Sequence, residues 1–228
     1  MIRAVVFDLD GVILQTEEVW DEVRGRYVVD HGGSYDEQAQ WAMMGMSAPE
    51  WSRYLAGDLG VPGTPEQISA DVVRLMEARY RERLPLIPGA VEAVERLAKP
   101  QCLPDGTDTG YLLGLASSSN RPLIDAALER SGLDRFFRAT VSSEEVPRGK
   151  PAPDVYLETA RRLGVDAVEC AAVEDSHSGI RSAAAAGMRV IAIPNPSFPP
   201  DAEALGLADV VLGSIEELTP EAVARADR

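Results

Sequence analysis

Lysine is nearly absent from this chain. Residues 99 and 150 are the only two lysines among 228 residues, so any chemistry that requires an ammonium group has two candidates. Positive charge is scarce in general: 22 Lys plus Arg stand against 37 acidic residues, for a formal net charge of −15. Such a field repels polyanions at long range, which argues against nucleic acid and anionic membrane surfaces as partners. A small phosphorylated metabolite remains compatible with it, provided specific cations are built into a local site.

Cysteine is equally sparse. Cys102 and Cys170 are far apart and in no metal-ligand spacing, and the chain has only two histidines. A disulfide scaffold and a thiolate–imidazole zinc cluster are therefore both disfavoured, and two free thiols in a reducing compartment are expected. No stretch approaches about 18 consecutive apolar residues, and the opening MIRAVVFDLDG meets acids before a signal-peptide core could form. A cytoplasmic protein is expected.

What is present is the composition of an ordinary globular protein, 45% hydrophobic and 26% charged, sufficient for one sizeable core and a smaller satellite. The run Ala4-Val5-Val6-Phe7 has the character of a buried strand, and TEEVWDEVRGRYVVDHGG then reads as a helix with Thr16 as its cap. Further helical patterns follow at about 36–44, 48–56 and 65–83, with no convincing strand between 14 and 85. Beyond 89 the text changes to strand–helix alternation: YLLGLAS, ATVSS, CAAVED, RVIAIP and ADVVLG are strands separated by helices. Alternation of this kind implies parallel pairing through right-handed crossovers, hence an α/β fold with helices on both faces. LPDGTDTG (103–110) reads as a polar, turn-rich loop.

The acids are placed where such a sheet binds ligands, beyond the carboxyl ends of its strands. Asp8 and Asp10 follow the first strand and would begin on one face if extension continued, with Gly11 permitting a turn directly afterwards. Two carboxylates so close are tolerable if a cation lies between them, or if one carries a proton and acts as an acid. Other strand ends carry Ser117-Ser118-Ser119-Asn120 and Glu174-Asp175-Ser176, and Lys150 lies in a Lys-Pro loop after the third strand. Asp8, Asp10, Glu174 and Asp175 form a hard oxygen set of the kind Mg²⁺ prefers.

In this order, DxDGV, a strand ending in Ser, a Lys-Pro loop and a strand ending in Glu-Asp-Ser resemble the four motifs of the haloacid dehalogenase-like (HAD) superfamily of phosphatases and phosphomutases. The resemblance is strongest to the subgroup with a helical cap between motifs one and two, which includes β-phosphoglucomutase and phosphoglycolate phosphatase. It implies a Rossmann-like open parallel sheet (1–14 and 87–228) with an inserted all-helical cap domain (15–86). It further implies that Asp8 attacks phosphorus to form an aspartyl-phosphate, and that Asp10 serves as acid and then base. Ser117 and Ser118 would hold phosphoryl oxygens and Lys150 would neutralise charge. Asp8, Asp10 (through its carbonyl), Glu174 and Asp175 would bind Mg²⁺. Ser176 is expected as a helix cap and His177 as a surface neighbour.

Single positions separate the branches of that family. Asp10 is the residue that true dehalogenases lack, and residues 15–86 contain no lysine for a Schiff base. Against the mutases, Trp20 stands at the cap histidine position, Ala48 at the phosphate-binding arginine and Met44 at a lysine. A phosphatase acting on a small phosphomonoester is thus favoured over a sugar phosphomutase or a non-catalytic phosphate binder, although Arg24, Arg26, Arg53, Arg79, Arg81 or Arg83 could supply a substitute anchor. Trp20 is read as packing or, if it faces the site, as a platform for an apolar or ring-bearing substrate. A monomer or homodimer is expected.

Overall fold

The computed structural model describes residues 1–43, 46, 48–100 and 110–227. Met44, Cys102 and nearly all of the 103–110 loop, which carried expectations above, lie outside the described residues. The first strand, β1 (Ala4–Phe7), is followed by five helices before the second: α1 (Glu17–Asp30), α2 (Glu37–Met43), α3 (Ala48–Gly57), α4 (Pro65–Glu82) and α5 (Ala90–Ala98). From there strands and helices alternate as β2 (Leu112–Ser117), α6 (Arg121–Ser131), β3 (Phe137–Ser142), α7 (Asp154–Leu163), β4 (Cys170–Glu174), α8 (His177–Ala185) and β5 (Arg189–Ala192). The chain closes with α9 (Ala202–Leu205), β6 (Val210–Val211) and α10 (Pro220–Ala226). The short helices α9 and α10 are not foreseen by the strand–helix alternation; Asp201 and Thr219 cap them.

The six strands among the described residues are all parallel, in the order β3-β2-β1-β4-β5-β6. The chain thus crosses from one side of β1 to the other between β3 and β4, and a crevice is expected beside β1 at that reversal. Strand residues alternate between two cores. Val5, Phe7, Leu113, Leu115 and Val173 face one side with α5, α6 and α10. Ala4, Val6, Ala172, Val190 and Ala192 face the other with α7 and α8. Burial on both faces is why these strands read as unbroken apolar runs.

The helices α1 to α4 gather a core of their own around Tyr27, Leu55, Ile68, Met76 and Tyr80, continuous with the core on one face of the sheet. Their connections to the sheet run side by side: Gln15 N–H donates to Pro85 O (2.8 Å) and Ile87 N–H to Ile13 O (2.9 Å), flanking an antiparallel bridge between Leu14 and Leu86. The helix α4 begins with a full capping box, Thr64 accepting from Gln67 N–H and the Gln67 side chain accepting from Thr64 N–H. Thr16 differs from expectation, since its side chain makes no cap bond to α1. No helix among the described residues is long and apolar enough to cross a membrane.

Candidate active site

The turn after β1 separates the two motif-one acids. Asp8 N–H still donates to Val173 O (3.0 Å), so Asp8 remains beside β4, whereas Gly11 adopts φ +82° and its N–H donates to Leu14 O (2.7 Å). Extension therefore stops before Asp10. The two carboxylates enter different surroundings instead of sharing a strand face.

Asp8 is buried with the single ammonium of the site. Lys150 Nζ donates to Asp8 Oδ1 (2.7 Å), Glu174 Oε1 (2.6 Å) and Ala116 O (3.0 Å), tying the loop after β3 to the ends of β1, β2 and β4. Glu174, fully buried, also accepts from Tyr156 Oη at 2.6 Å. Its other oxygen accepts from Asp175 N–H, Ser176 N–H and Ser176 Oγ. A β-carbon on Gly179, in the first turn of α8, would meet this carboxylate at 1.9 Å. Ser176 caps α8 as expected, accepting from Gly179 N–H (3.1 Å), and His177 is exposed.

Asp8, Glu174 and Asp175 each present a carboxylate oxygen, all within 4.8 Å of one another. Three buried acids facing one ammonium leave an excess of negative charge, and the protonation equilibria reflect it. Burial, reinforced by Glu174 and Asp10 and opposed by Lys150, pushes Asp8 up to about 8. Burial and the neighbouring Glu174 and Asp8 carboxylates push Asp175 well above the usual carboxylate range. Burial lowers the Lys150 ammonium pKa, but Asp8 and Glu174 outweigh it and keep the group charged. A divalent cation is the charge this donor set calls for, and the all-oxygen ligands suit a hard one. The residues therefore fit a metal site.

Asp10 belongs to a different cluster. Its Oδ1 accepts from Thr16 Oγ1 (2.7 Å), and its Oδ2 accepts from Ser119 Oγ (2.7 Å) and, at 3.4 Å, from Ser117 Oγ. Ser117 is buried at the end of β2, where its Oγ also accepts from Ser119 N–H (2.9 Å); Ser118 is exposed. Above Asp10 lies a cavity of about 130 Å³ between the sheet and the helical insert, lined among others by Trp20, Trp51, Arg24, Glu17, Ser118 and Asn120. Ala48 borders it too, and it adjoins a larger cleft of about 820 Å³ that shares Ala48, Ser118 and Asn120. Trp20 packs on Trp51 (centroids 6.0 Å apart) and also lines the cavity.

Three contributors escape the sequence pattern. Thr16 reads as a helix cap but bonds Asp10. Tyr156 lies on α7 and reaches Glu174, and nothing in its spacing signals that contact. Ser119 is one hydroxyl in a run of three, and only the turn after β2 selects it.

The family model for haloacid dehalogenase-like hydrolases matches residues 2–187. Hexitol phosphatase B of Escherichia coli K12 is 34% identical over 223 residues, covering 96% of this chain and 95% of its own. The chain spans 54% of the bifunctional riboflavin kinase/FMN phosphatase of Arabidopsis thaliana, at 29% identity over 218 residues. Among solved structures, that of CbbY from Rhodobacter sphaeroides in complex with phosphate superposes with a TM-score of 0.82 at 26% identity, covering 100% of both chains. Sheet and helical insert are matched together, and on that basis the chain belongs to the haloacid dehalogenase-like hydrolases.

Proposed function

We propose that the protein is a Mg²⁺-dependent phosphatase that hydrolyses a small phosphomonoester through an aspartyl-phosphate on Asp8. The observation that carries this reading is the separation of the motif-one acids: Asp8 is paired with the buried Lys150, and Asp10 is turned toward the cavity. One carboxylate is placed to attack and the other to move a proton. The phosphatases among its relatives support phosphomonoester hydrolysis as the overall reaction.

Asp8 Oδ1 is held by Lys150, which leaves its second oxygen for attack on phosphorus. Lys150 also offsets charge on the transferring group, and Ser117 with the Ser118 amide would receive phosphoryl oxygens. Asp10 gives its proton to the departing alcohol oxygen and then removes one from the water that cleaves the acyl phosphate. The Thr16 and Ser119 hydroxyls suit both stages, because each can donate to a carboxylate or accept from a carboxylic acid. Asp8 and Asp175 would hold Mg²⁺ directly together with the Asp10 carbonyl, and Glu174, already bonded by Lys150, Tyr156 and Ser176, would complete the site. When bound, the ion supplies positive charge at the nucleophile and the phosphoryl oxygens. The helical insert, residues 15–86, acts as a cap that excludes water while the phosphoryl group moves.

The test is phosphate release from a panel of phosphomonoesters, with Mg²⁺ and with chelator, beside Asp8→Asn. Metal-dependent release that the variant loses while remaining folded supports the reading. Release that survives in Asp8→Asn overturns the aspartyl-phosphate, and isomerisation of a sugar phosphate without release would show a mutase.

A further inference from the structure

The cavity above Asp10 contains a cation–carboxylate pair that the chemistry at phosphorus does not use. Arg24, partly buried on α1, lies over the Trp20 ring with its guanidinium carbon 5.3 Å from the ring centroid. Among the described residues its one hydrogen bond runs from Nε to Trp20 O (3.2 Å), which leaves its terminal nitrogens without a bond there, while Glu17 and Asp21 act on the guanidinium electrostatically. Glu17, about two turns earlier on the same helix, lines the same cavity, and burial together with Asp10 raises its pKa. A guanidinium and a carboxylate with donors and acceptors free of hydrogen bonds among the described residues thus line the space beside Asp10 into which an alcohol bonded to phosphorus would extend.

From this we infer that Arg24 and Glu17 are specificity-determining residues that read hydroxyl groups on the leaving alcohol, and that the substrate class is phosphate esters of small neutral polyols. The inference rests on the phosphatase reading above. A donor and an acceptor lining one cavity match a hydroxyl, which both accepts and donates, and the Trp20–Trp51 wall suits the C–H face of a polyol chain. A second anionic group fits poorly, because Glu17 and Asp10 place two carboxylates against one guanidinium in the same cavity. At about 130 Å³ the cavity admits only a few carbons, and a longer chain would continue into the adjoining cleft.

Three matched three-carbon esters test it: glycerol 1-phosphate, n-propyl phosphate and 3-phosphoglycerate. The wild-type kcat/KM is expected to favour glycerol 1-phosphate over both others by at least about tenfold, the range of one hydrogen bond to a charged group. Arg24→Met should lower the glycerol-to-propyl ratio about tenfold or more, Arg24→Lys should restore part of it, and Glu17→Gln should lower it independently should the methionine variant not fold. An unchanged ratio in both Arg24→Met and Glu17→Gln, or preference for 3-phosphoglycerate, overturns the inference. Binding of the same esters to Asp8→Asn, followed by tryptophan fluorescence, separates the two readings. Binding preference without wild-type turnover sinks the phosphatase reading alone, and turnover without preference sinks this inference alone.

Discussion

Gly11 and Asp175 are in direct contact: a β-carbon on the glycine would fall 1.9 Å from Oδ2 of the aspartate. The turn after β1 and the end of β4 therefore close on one another only because residue 11 has no side chain, and its φ of +82° adds a second demand for glycine. Gly11→Ala should destabilise the fold by roughly 1–3 kcal/mol and displace Asp175 from the metal site. Urea denaturation checks the first effect and calorimetric Mg²⁺ titration the second; an alanine variant with wild-type values in both would show that the contact is dispensable.

Tyr156 supplies the buried Glu174 with one of its two side-chain hydrogen bonds at Oε1 among the described residues, the other coming from Lys150. Tyr156→Phe leaves Oε1 to Lys150 alone, and a loss of about 1 kcal/mol in stability is expected. Because Lys150 also loses a partner's orientation, kcat should fall by less than about tenfold, against abolition of turnover in Lys150→Met. Equal losses in the two variants would mean that the tyrosine is as necessary to the site as the lysine.

Thr16 holds one oxygen of Asp10 and Ser119 the other. Thr16→Val should slow esters with poor leaving groups about tenfold, while p-nitrophenyl phosphate, whose departing oxygen needs little protonation, changes less. A uniform reduction across leaving groups would remove Thr16 from the proton-transfer step and leave it a role in folding.

Cys170 offers a pH test independent of the active site. Burial, with Glu169 and Asp166 nearby, pushes its thiol from 9.0 up to about 12. The folded chain thus keeps a proton that the unfolded chain releases above pH 9, so stability contributed by this group is present below pH 9 and lost as pH rises toward 12. In a Cys102→Ser background, Cys170→Ala should lose less stability between pH 9 and 11 than its parent. The parent's thiol should also resist aromatic disulfide reagents at pH 8 until the protein unfolds.

The acids and the lysine were legible because each ends, or closely follows, an apolar run, and parallel strands bring their carboxyl ends to one edge. Asp8, Ser117, Lys150, Glu174 and Asp175 converge there without further information. Asp10 was legible as chemistry but not as geometry, since its direction depends on a turn that stops strand extension at once. Thr16 reads as a helix cap and Tyr156 draws no reading at all, for a common reason: a threonine before a helix and a tyrosine on an amphipathic one satisfy local rules so fully that nothing points to a distant partner. Arg24 was one arginine among several, because its place in the cavity depends on how the insert lies against the sheet.

The sequence by itself determined the parallel α/β sheet, the helical insertion after β1 and the residue types at each strand end, because hydrophobic period and turn chemistry act over a few neighbours. Only the tertiary structure decided which groups pair: Lys150 meets Asp8 across 142 residues of chain, and Ser119 meets Asp10 across 109. Such contacts are selected by strand order and by the docking of the insert, and those follow from burying both faces of the whole sheet at once.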